Sequence, residues 1–409
     1  MTDPRIAIVH ERFTEYGGSE AVVAEFMKTW PDAQVYAPIV TPDGARAVCR
    51  AAMDHAHEAG NSTEDDLTRS PIHGTWLDRV YAATGCRTHA PLLPLVPRVL
   101  RTLPLHDAYD AVLVSHHAFA TQVVFATDAP VIAYVHSPAR WAWDRTFRAQ
   151  EAGGRVGQVA LAALGRLARR AETRAAPRLT RVIANSRAVG DRIRDWWGLP
   201  VTVINPPVRL DRFSPATDIP REDFFLFAGR LVPYKRPDLA IRAAQNAGCR
   251  LVILGDGRAR HHLETIAGPE TTFLGAAPDD VLLDMYRRCR ALVMPGVEDF
   301  GIVPVEAMAC GTPVLAVGAG GALDTVLPGI TGEHLDFGPD PTVVDRLAEA
   351  MRDFDPARYD PSAIRSHAMT FSPTTFRAQI AAVVTGHRPE FSEPAAKDLL
   401  SRPLPETGS

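Results

Sequence analysis

The feature that most constrains the fold is an alternation of short apolar segments with amphipathic ones, which occurs twice along the chain. Residues 5–10 (RIAIVH) predict a strand, and apolar residues in the following segment, 19–30, recur at helical spacing. Further strand-like runs of the first half lie at residues 34–39, 111–114, 131–135, 181–184 and 201–204. Buried strands that alternate with helices indicate a parallel sheet wound by βαβ units.

A proline-rich segment interrupts the alternation, which then starts again. Residues 205–221 carry four prolines and no clear period, which predicts a linker. Strand-like runs resume at residues 224–228, 251–254, 272–274, 291–294 and 314–317. The length of 409 residues suits two domains. We predict a Rossmann-like domain over 1–205, a second over 206–370, a terminal helix over 371–387 that packs back toward the first domain, and a disordered tail over 388–409.

Composition excludes several classes of protein. The net charge of −4 argues against an evenly basic nucleic-acid binder. No apolar run approaches the roughly 18 residues of a membrane span, and residues 1–13 lack the pattern of a signal peptide. The five cysteines are scattered and form no C-x-x-C pair, so we expect neither a disulfide framework nor a zinc site. These features predict a cytoplasmic protein.

Two cations follow the first predicted strand of the second domain. In doubly wound sheets, ligands bind outside the carboxyl ends of the strands, which here would face a cleft between the domains. Arg230 and Lys235 lie just after the strand 224–228. An arginine fork and a lysine point charge suit the oxygens of a diphosphate. Two solvated surface cations are the alternative, but their position at a strand end favours binding.

Two glutamates follow a later strand. Gly301 and Pro304 indicate that Glu298 lies in a loop and Glu306 in the first turns of a helix. Each carboxylate can accept hydrogen bonds from a sugar, one from a transferred hexose and the other from a ribose. On spacing alone the alternative is as good: Glu306 as a favourable acid in a first helical turn, and Glu298 as a solvated loop residue.

The turn between the two glutamates adds backbone donors. It comprises Asp299, Phe300, Gly301 and Ile302, directly before the predicted helix. N–H groups at a helix start, together with the helix dipole, favour an anion such as a diphosphate. We therefore expect this turn to bind the same ligand as the two glutamates.

The order of these motifs resembles that of the retaining family 4 glycosyltransferases, which have the GT-B fold. The matching text is Gly17-Gly18 after the first strand, GRLVPYK at 229–235, LGDG at 254–257, and the pair Glu298 and Glu306. The resemblance spans about residues 5–385. Phrases at 134–144, 184–189 and 298–314 are similar to the bacterial branch that includes O-antigen mannosyltransferases using GDP-mannose.

The resemblance implies roles for the matching residues. Gly17 and Gly18 would approach the donor diphosphate or the acceptor. Arg230 and Lys235 would neutralise the departing diphosphate, while Glu298 would contact the hexose and Glu306 the ribose of the nucleotide. His136, in YVHSP, would donate or accept a hydrogen bond to the hexose near the anomeric centre; a core histidine that ends a strand is the alternative.

The implied reaction transfers a hexose, predicted to be mannose from GDP-mannose, to a glycan or to a polyprenyl- or other lipid-linked acceptor. A UDP-sugar-dependent transferase and a non-catalytic nucleotide-sugar-binding subunit are the alternatives. No metal or cofactor is expected, because the one D-x-D pair, Asp353 and Asp355, lies in a segment typical of a solvated turn.

Two stretches of the first domain are both basic and apolar. Residues 79–105 carry four arginines and no acid, and residues 156–178 carry five arginines and one glutamate. A basic amphipathic surface suits anionic lipid, so the cytoplasmic membrane face is one expected partner. The alternative is a helix that covers the sheet with its arginine stems reaching water. His116 and His117 either line the cleft or are buried and hydrogen-bonded.

Overall fold

Two parallel β-sheets form the framework of the chain. A computed structural model describes residues 4–53, 71–85, 88–151, 154–216 and 218–386, so the predicted tail lies outside the described residues. The strands of the first sheet are β1 (Ile6–Val9), β2 (Gln34–Tyr36), β3 (Ile72–His73), β4 (Ala111–His116), β5 (Val131–Val135), β6 (Arg181–Ala184) and β7 (Thr202–Val203). Those of the second are β8 (Phe225–Ala228), β9 (Leu251–Leu254), β10 (Thr271–Gly275), β11 (Leu292–Met294), β12 (Val314–Val317) and β13 (Gly332–Leu335).

Helices connect the strands. In the first domain they are α1 (Gly18–Thr29), α2 (Pro42–Met53), α3 (Trp76–Ala83), α4 (Val96–Leu100), α5 (Arg140–Trp143), α6 (Arg145–Glu151), α7 (Gly154–Ala175) and α8 (Arg187–Trp197). In the second they are α9 (Pro237–Ala247), α10 (Arg260–Ile266), α11 (Asp279–Arg288), α12 (Ile302–Ala309), α13 (Ala322–Thr325), α14 (Asp340–Arg352) and α15 (Pro361–Ala368), and α16 (Pro373–Val384) follows.

Both sheets reverse their winding direction beside their first strand. The strand orders are β3-β2-β1-β4-β5-β6-β7 and β10-β9-β8-β11-β12-β13, with every neighbouring pair parallel. The central strands are fully buried because helices cover both faces of each sheet. The predicted pair of doubly wound parallel sheets is confirmed. The gaps between β1 and β4 and between β8 and β11 are therefore the places where a ligand can bind.

Some elements have no counterpart among the sequence predictions. The strand β13 reads GEHL, and its two central side chains, Glu333 and His334, are half-buried, so it lacks the apolar run that marks the inner strands. The helices α2 and α14 both begin with turn-forming residues, Pro42-Asp43-Gly44 and Asp340-Pro341.

The last described helix, α16, packs against the first sheet. Its residue Phe376 stacks on Phe26 of α1 with ring centroids 5.8 Å apart, and Arg377 forms an ion pair with Glu25 of the same helix. The helix begins after Ser372, whose hydroxyl accepts the N–H of Thr375 at 3.2 Å. Ser372 is therefore the N-cap of α16.

Candidate active site

A cavity of 620 Å³ lies between the two domains, at the carboxyl ends of the central strands. Its walls from the first domain include Arg12 after β1, His117 after β4 and Arg140 of α5. From the second domain, Arg230 follows β8 and Glu298 follows β11. The cavity thus opens at the reversal point of both sheets, which is where this topology places a ligand.

Lys235 and Glu298 meet in the wall contributed by the second domain. The Lys235 ammonium donates a hydrogen bond of 2.6 Å to Oε1 of Glu298, and both side chains are largely buried. Burial would lower the pKa of Lys235, but the Glu298 carboxylate raises it above its usual range. Gly229 has a φ of +133° as the chain leaves β8, a conformation that favours glycine, and a Cβ there would lie 3.5 Å from the ammonium. Lys235 is therefore a cation held beside a carboxylate.

Asp299 joins the two domains next to Glu298. Its carboxylate forms ion pairs with Arg140, at 3.4 Å, and with Arg192 of α8. Its backbone carbonyl accepts the Ser186 hydroxyl at 2.6 Å. The side chain that the sequence assigned to substrate is thus engaged by first-domain arginines. A second ion pair between the domains joins Arg187 to Asp324 at 2.7 Å.

The turn after Asp299 brings the start of α12 against the start of α1. Phe300 is buried, with its ring 5.7 Å from that of Phe371, so its side chain belongs to the core and only its backbone can face a ligand. Gly301 has a φ of +86°, and α12 begins at Ile302. A Cβ on Gly18 would lie 2.9 Å from Cδ1 of Ile302. The Gly17-Gly18 turn and the α12 start are therefore in close contact.

Glu306 lies on α12 but does not line the 620 Å³ cavity. Its Oε2 accepts the Tyr286 hydroxyl at 3.1 Å. Burial raises the pKa of the Glu306 carboxyl to about 7, although the hydrogen bond from Tyr286 and the charge of Arg209 oppose this shift. The structure therefore brings Arg230, Lys235 and Glu298 together and places Glu306 apart from them. A ribose contact at Glu306 stays a prediction.

His136 follows β5 and is half-buried. Its Nε2 lies 2.8 Å from the hydroxyl of Ser115, and burial together with the charge of His10 lowers its pKa to about 3, so the ring is neutral near pH 7. Its neighbours His117 and Ser137 line the cavity. His116 is fully buried, with its Nε2 3.2 Å from Glu172. Of the two histidines, His117 therefore lines the cavity, whereas His116 is buried and hydrogen-bonded.

Sequence reasoning missed the arginines that the first domain contributes. Arg12 donates from Nη1 to Nε2 of His117 at 3.2 Å, and its buried Nε has no hydrogen-bond partner in the described part of the chain. Its weak ion pair with Glu15 spans 3.9 Å. Arg140 and Arg192 follow β5 and β6, at strand ends where the topology predicts functional residues. That position was the signal available in the sequence.

The described residues contain neither a metal-binding cluster nor a membrane-spanning helix. In the part of the chain that the structure covers, no group of three or more His, Cys, Asp or Glu side chains is arranged to hold a metal ion. The carboxylate of Asp355 accepts the N–H of Ala357 at 3.0 Å within its own turn. None of the described helices combines the length and the apolar character needed to cross a bilayer.

Solved structures define the class of fold. HepE of Anabaena, determined with UDP and glucose, superposes with a TM-score of 0.62 at 18% identity, over 93% of this chain and 99% of that one. The sucrose-phosphate synthase of Thermosynechococcus elongatus gives 0.61 at 16% identity, over 93% and 98%. At these identities the likeness shows the fold. The predicted GT-B architecture is confirmed.

Sequence comparisons then define the family. The model for glycosyl transferases group 1 matches residues 211–361, and that for glycosyltransferase family 4 matches residues 16–212. The D-inositol 3-phosphate glycosyltransferase of Thermobispora bispora is 31% identical over 324 residues, which are 70% of this chain and 73% of that protein. The chain belongs to the group 1, family 4 glycosyltransferases. The D-inositol 3-phosphate glycosyltransferase of Mycobacterium sp. (strain JLS) is 33% identical, but the match spans only 42% of this chain and 44% of that protein.

Proposed function

We propose that the chain transfers a hexosyl group, with retention, from a nucleoside diphosphate sugar to an acceptor hydroxyl. One observation carries the proposal: Arg230 and Glu298 line one cavity at the reversal points of both sheets, and Lys235 is hydrogen-bonded to Glu298. Two cations suit a diphosphate, and the adjacent carboxylate suits the hydroxyls of the attached hexose. We assign the ribose of the nucleotide to Glu306.

The chemistry follows from where charge develops. As the bond between the anomeric carbon and the diphosphate breaks, negative charge grows on the leaving oxygen, and Arg230 and Lys235 stabilise it. In a same-face reaction the leaving oxygen takes the proton of the acceptor hydroxyl, so no protein base is mandatory. Neutral His136 forms a hydrogen bond with the hexose. The cavity walls hold the donor and the acceptor close together, which supplies the rest of the rate.

GDP-mannose is the donor that we propose from the sequence phrases at 134–144, 184–189 and 298–314. A second candidate is a UDP-sugar, since one GT-B structure similar to this chain, HepE, was determined with UDP-glucose. A thermal-shift panel of GDP-, UDP- and ADP-sugars separates the two. A ligand at 100 times its Kd adds about 2.7 kcal/mol to the free energy of unfolding.

On the acceptor side, the first-domain wall favours an anionic group. Arg12 faces the cavity with a neutral imidazole, His117, as its close partner, and its Nε is unpaired within the described residues. Burial and the charge of Arg12 hold the pKa of His117 well below its usual range, so this neutral histidine does not offset the charge of Arg12, and the ion pair with Glu15 at 3.9 Å offsets it only weakly. Such a cation suits a phosphate on the acceptor, as in a lipid-linked diphosphate or an inositol phosphate.

A membrane surface is the partner that we propose for the outer face of α7. The inner face of this helix contributes Ala168, Ala171 and Ala175 to the hydrophobic core of the first domain. Outside, two pockets of 420 and 330 Å³ beside Trp143 are lined by arginines, namely Arg145, Arg148, Arg166, Arg169, Arg170 and Arg174. Sedimentation should show salt-sensitive binding to phosphatidylglycerol vesicles and none to phosphatidylcholine vesicles. The absence of binding to both removes this part of the proposal.

The release of nucleoside diphosphate tests the function itself. Slow, enzyme-dependent release of GDP from GDP-mannose, or of UDP from a UDP-sugar, is expected without acceptor, because water can replace the acceptor hydroxyl. The Arg230→Ala variant should lose this release. A nucleotide sugar that binds without being turned over, with or without acceptors, supports the non-catalytic subunit instead. The absence of binding by any nucleotide sugar contradicts both proposals.

A further inference from the structure

Four polar side chains form one hydrogen-bonded row beneath the cavity. Oε1 of Glu20 lies 3.1 Å from Nε2 of His10, and Nδ1 of His10 lies 3.0 Å from the hydroxyl of Ser115. That hydroxyl lies 2.8 Å from Nε2 of His136. His10 and Ser115 are fully buried, and Glu20 is 6% exposed. The row runs from α1 through the ends of β1 and β4 to the residue after β5.

The Glu20 end of the row is fixed as an acceptor. Burial alone would raise the pKa of the Glu20 carboxyl, but the hydrogen bond and charge of His10 lower it to about 2. The ionised carboxylate has no proton to donate, so His10 donates from Nε2–H. The other oxygen, Oε2, accepts the N–H of Gly17 at 3.1 Å and the Ser19 hydroxyl at 2.9 Å.

One arrangement of protons follows when His10 is neutral. With its proton on Nε2, His10 offers a lone pair at Nδ1, and the Ser115 hydroxyl must donate to it. The Ser115 oxygen then accepts from Nε2–H of His136, because a hydroxyl has a single proton. His136 is left with a lone pair at Nδ1, which makes no hydrogen bond with any described residue.

The opposite arrangement follows when His10 carries a second proton. Nδ1–H of His10 now donates to Ser115, and the hydroxyl rotates to donate to Nε2 of His136. The proton that Nε2 of His136 gives up to solvent is replaced by one taken up at Nδ1, so the ring stays neutral. One proton enters the row at His10, and His136 exchanges an acceptor for a donor at Nδ1.

We propose that Glu20, His10 and Ser115 are positioning residues, and that the protonation state of His10 selects the tautomer of His136 and hence whether His136 accepts a hydrogen bond from the ligand or donates one to it. That the ligand is a hexose rests on the proposed function. The coupling between His10 and the tautomer of His136 does not. Because Glu20 also holds the N–H of Gly17, the same row ties the Gly17-Gly18 turn to His136.

Other charged and titratable groups surround the row. Arg12 and His117 lie on the cavity side, with the rings of His117 and His136 6.4 Å apart and those of His10 and His117 5.9 Å apart. Glu11 and His116 lie 3.6 Å apart, and their charges also affect the pKa of His136. None of these four groups is among the hydrogen-bond partners of Ser115. Among the described residues, the row is therefore the hydrogen-bonded link between His10 and the tautomer of His136.

Nitrogen-15 NMR of the histidine side chains tests the coupling without any donor, because the two ring nitrogens report protonation separately. Between pH 5 and 9, neutral His10 should always coexist with His136 protonated at Nε2, and charged His10 with His136 protonated at Nδ1. In Ser115→Ala this correlation should be lost, while Glu20→Gln should weaken it. A wild-type tautomer that does not match the state of His10, or a correlation that survives in Ser115→Ala, overturns the proposal.

Kinetics separate the row from a merely structural role. We expect Ser115→Ala to raise the KM for the donor several-fold and to flatten its pH dependence, whereas Ser115→Thr, which keeps the hydroxyl, should restore both. If Ser115→Thr does not fold, Glu20→Gln gives the same readout. Unchanged KM and pH dependence in Ser115→Ala contradict the role in ligand binding. Failure of the nucleotide-sugar panel, by contrast, overturns the proposed function and leaves the NMR result standing.

Discussion

The Lys235 ammonium and the Glu298 carboxylate form an ion pair of 2.6 Å, with side chains only 13% and 15% exposed. Such a pair is far less screened by solvent than one on the surface, and each partner depends on the other to offset the cost of burial. In the proposed function, Lys235 binds the diphosphate of the donor and Glu298 binds its hexose. The residues that bind the two parts of the donor are therefore coupled before the reaction begins.

Removal of either cation should damage turnover more than folding. We expect Arg230→Ala and Lys235→Ala to lower kcat by roughly 10²–10³, the usual loss for one donor to a developing charge. Lys28→Ala is the matched control, because Lys28 forms a similarly buried pair of 2.8 Å with Glu25 outside the cavity. It should leave kcat unchanged. If Arg230→Ala and Lys235→Ala both keep the wild-type kcat and only raise the KM for the donor, the two cations do not stabilise the departing diphosphate.

The contact of Asp299 with the first domain should matter for catalysis. Asp299→Ala removes the acceptor shared by Arg140 and Arg192, and we expect kcat/KM to fall by at least about tenfold, since small displacements of reacting groups are costly. Asp324→Ala removes the ion pair with Arg187, whose side chain is 65% exposed and which does not line the cavity, and should have little effect. Steady-state kinetics distinguish them, and equal losses in both variants argue for a general effect on domain contact.

Close approach of α1 and α12 gives a steric prediction. A Cβ on Gly18 would meet the flexible end of Ile302, so Gly18→Ala should lower kcat/KM only a few-fold, while Gly18→Val should lower it much more. Ile302→Ala should partly restore Gly18→Val, because it removes the atom in the way. A double-mutant cycle in kcat/KM measures this coupling. Additive effects of the two substitutions would show that the residues do not meet in the active state.

Glu306 should make stability fall as the pH rises. Its pKa is about 7 in the folded chain against 4.5 ordinarily, so the folded state keeps a proton that the unfolded state has lost. The free energy of unfolding should therefore drop by about 3 kcal/mol between pH 4.5 and pH 7 on this account alone. Glu306→Gln should remove that drop in urea titrations. A drop of equal size in Glu306→Gln would refute the assignment.

The same group should make donor binding improve as the pH rises. A ribose hydroxyl donates to the ionised carboxylate, so affinity for a nucleotide sugar should increase from pH 6 to pH 8, and Glu306→Gln should flatten the increase. Titration calorimetry with a nucleotide sugar suits this test because its diphosphate has no terminal phosphate that titrates in that range. Unchanged pH dependence in Glu306→Gln would place the ribose elsewhere.

Strand ends explain how much of the site the sequence could predict. Arg230, Lys235 and Glu298 each follow an apolar run within a few residues, so local pattern and topology suffice to bring them to one edge. Strand-end position also brings Arg140 and Arg192 to this edge, but it does not predict their ion pairs with Asp299, because they lie 159 and 107 residues from it along the chain. Their pairing depends on how the two domains sit against each other, which no local pattern encodes.

The extent of burial explains which strands the sequence predicted well and which it did not. The inner strands β5, β6, β9 and β12 agree with their predicted bounds because both their faces are covered and every residue except Arg181 is buried. The edge strand β13 buries only its two end residues, so its sequence contains no apolar run from which a strand could be predicted. Phe300 shows the same limit in the site, since its apolar side chain enters the core beside Phe371 while its neighbours face the cavity.

A crystal structure with the nucleotide sugar chosen by the thermal-shift panel shows where the donor binds. We expect the diphosphate within hydrogen-bonding distance of Arg230 and Lys235, the hexose at Glu298, and the ribose at Glu306. A nucleotide sugar bound outside the 620 Å³ cavity, or bound there with its diphosphate away from both cations, would contradict the account.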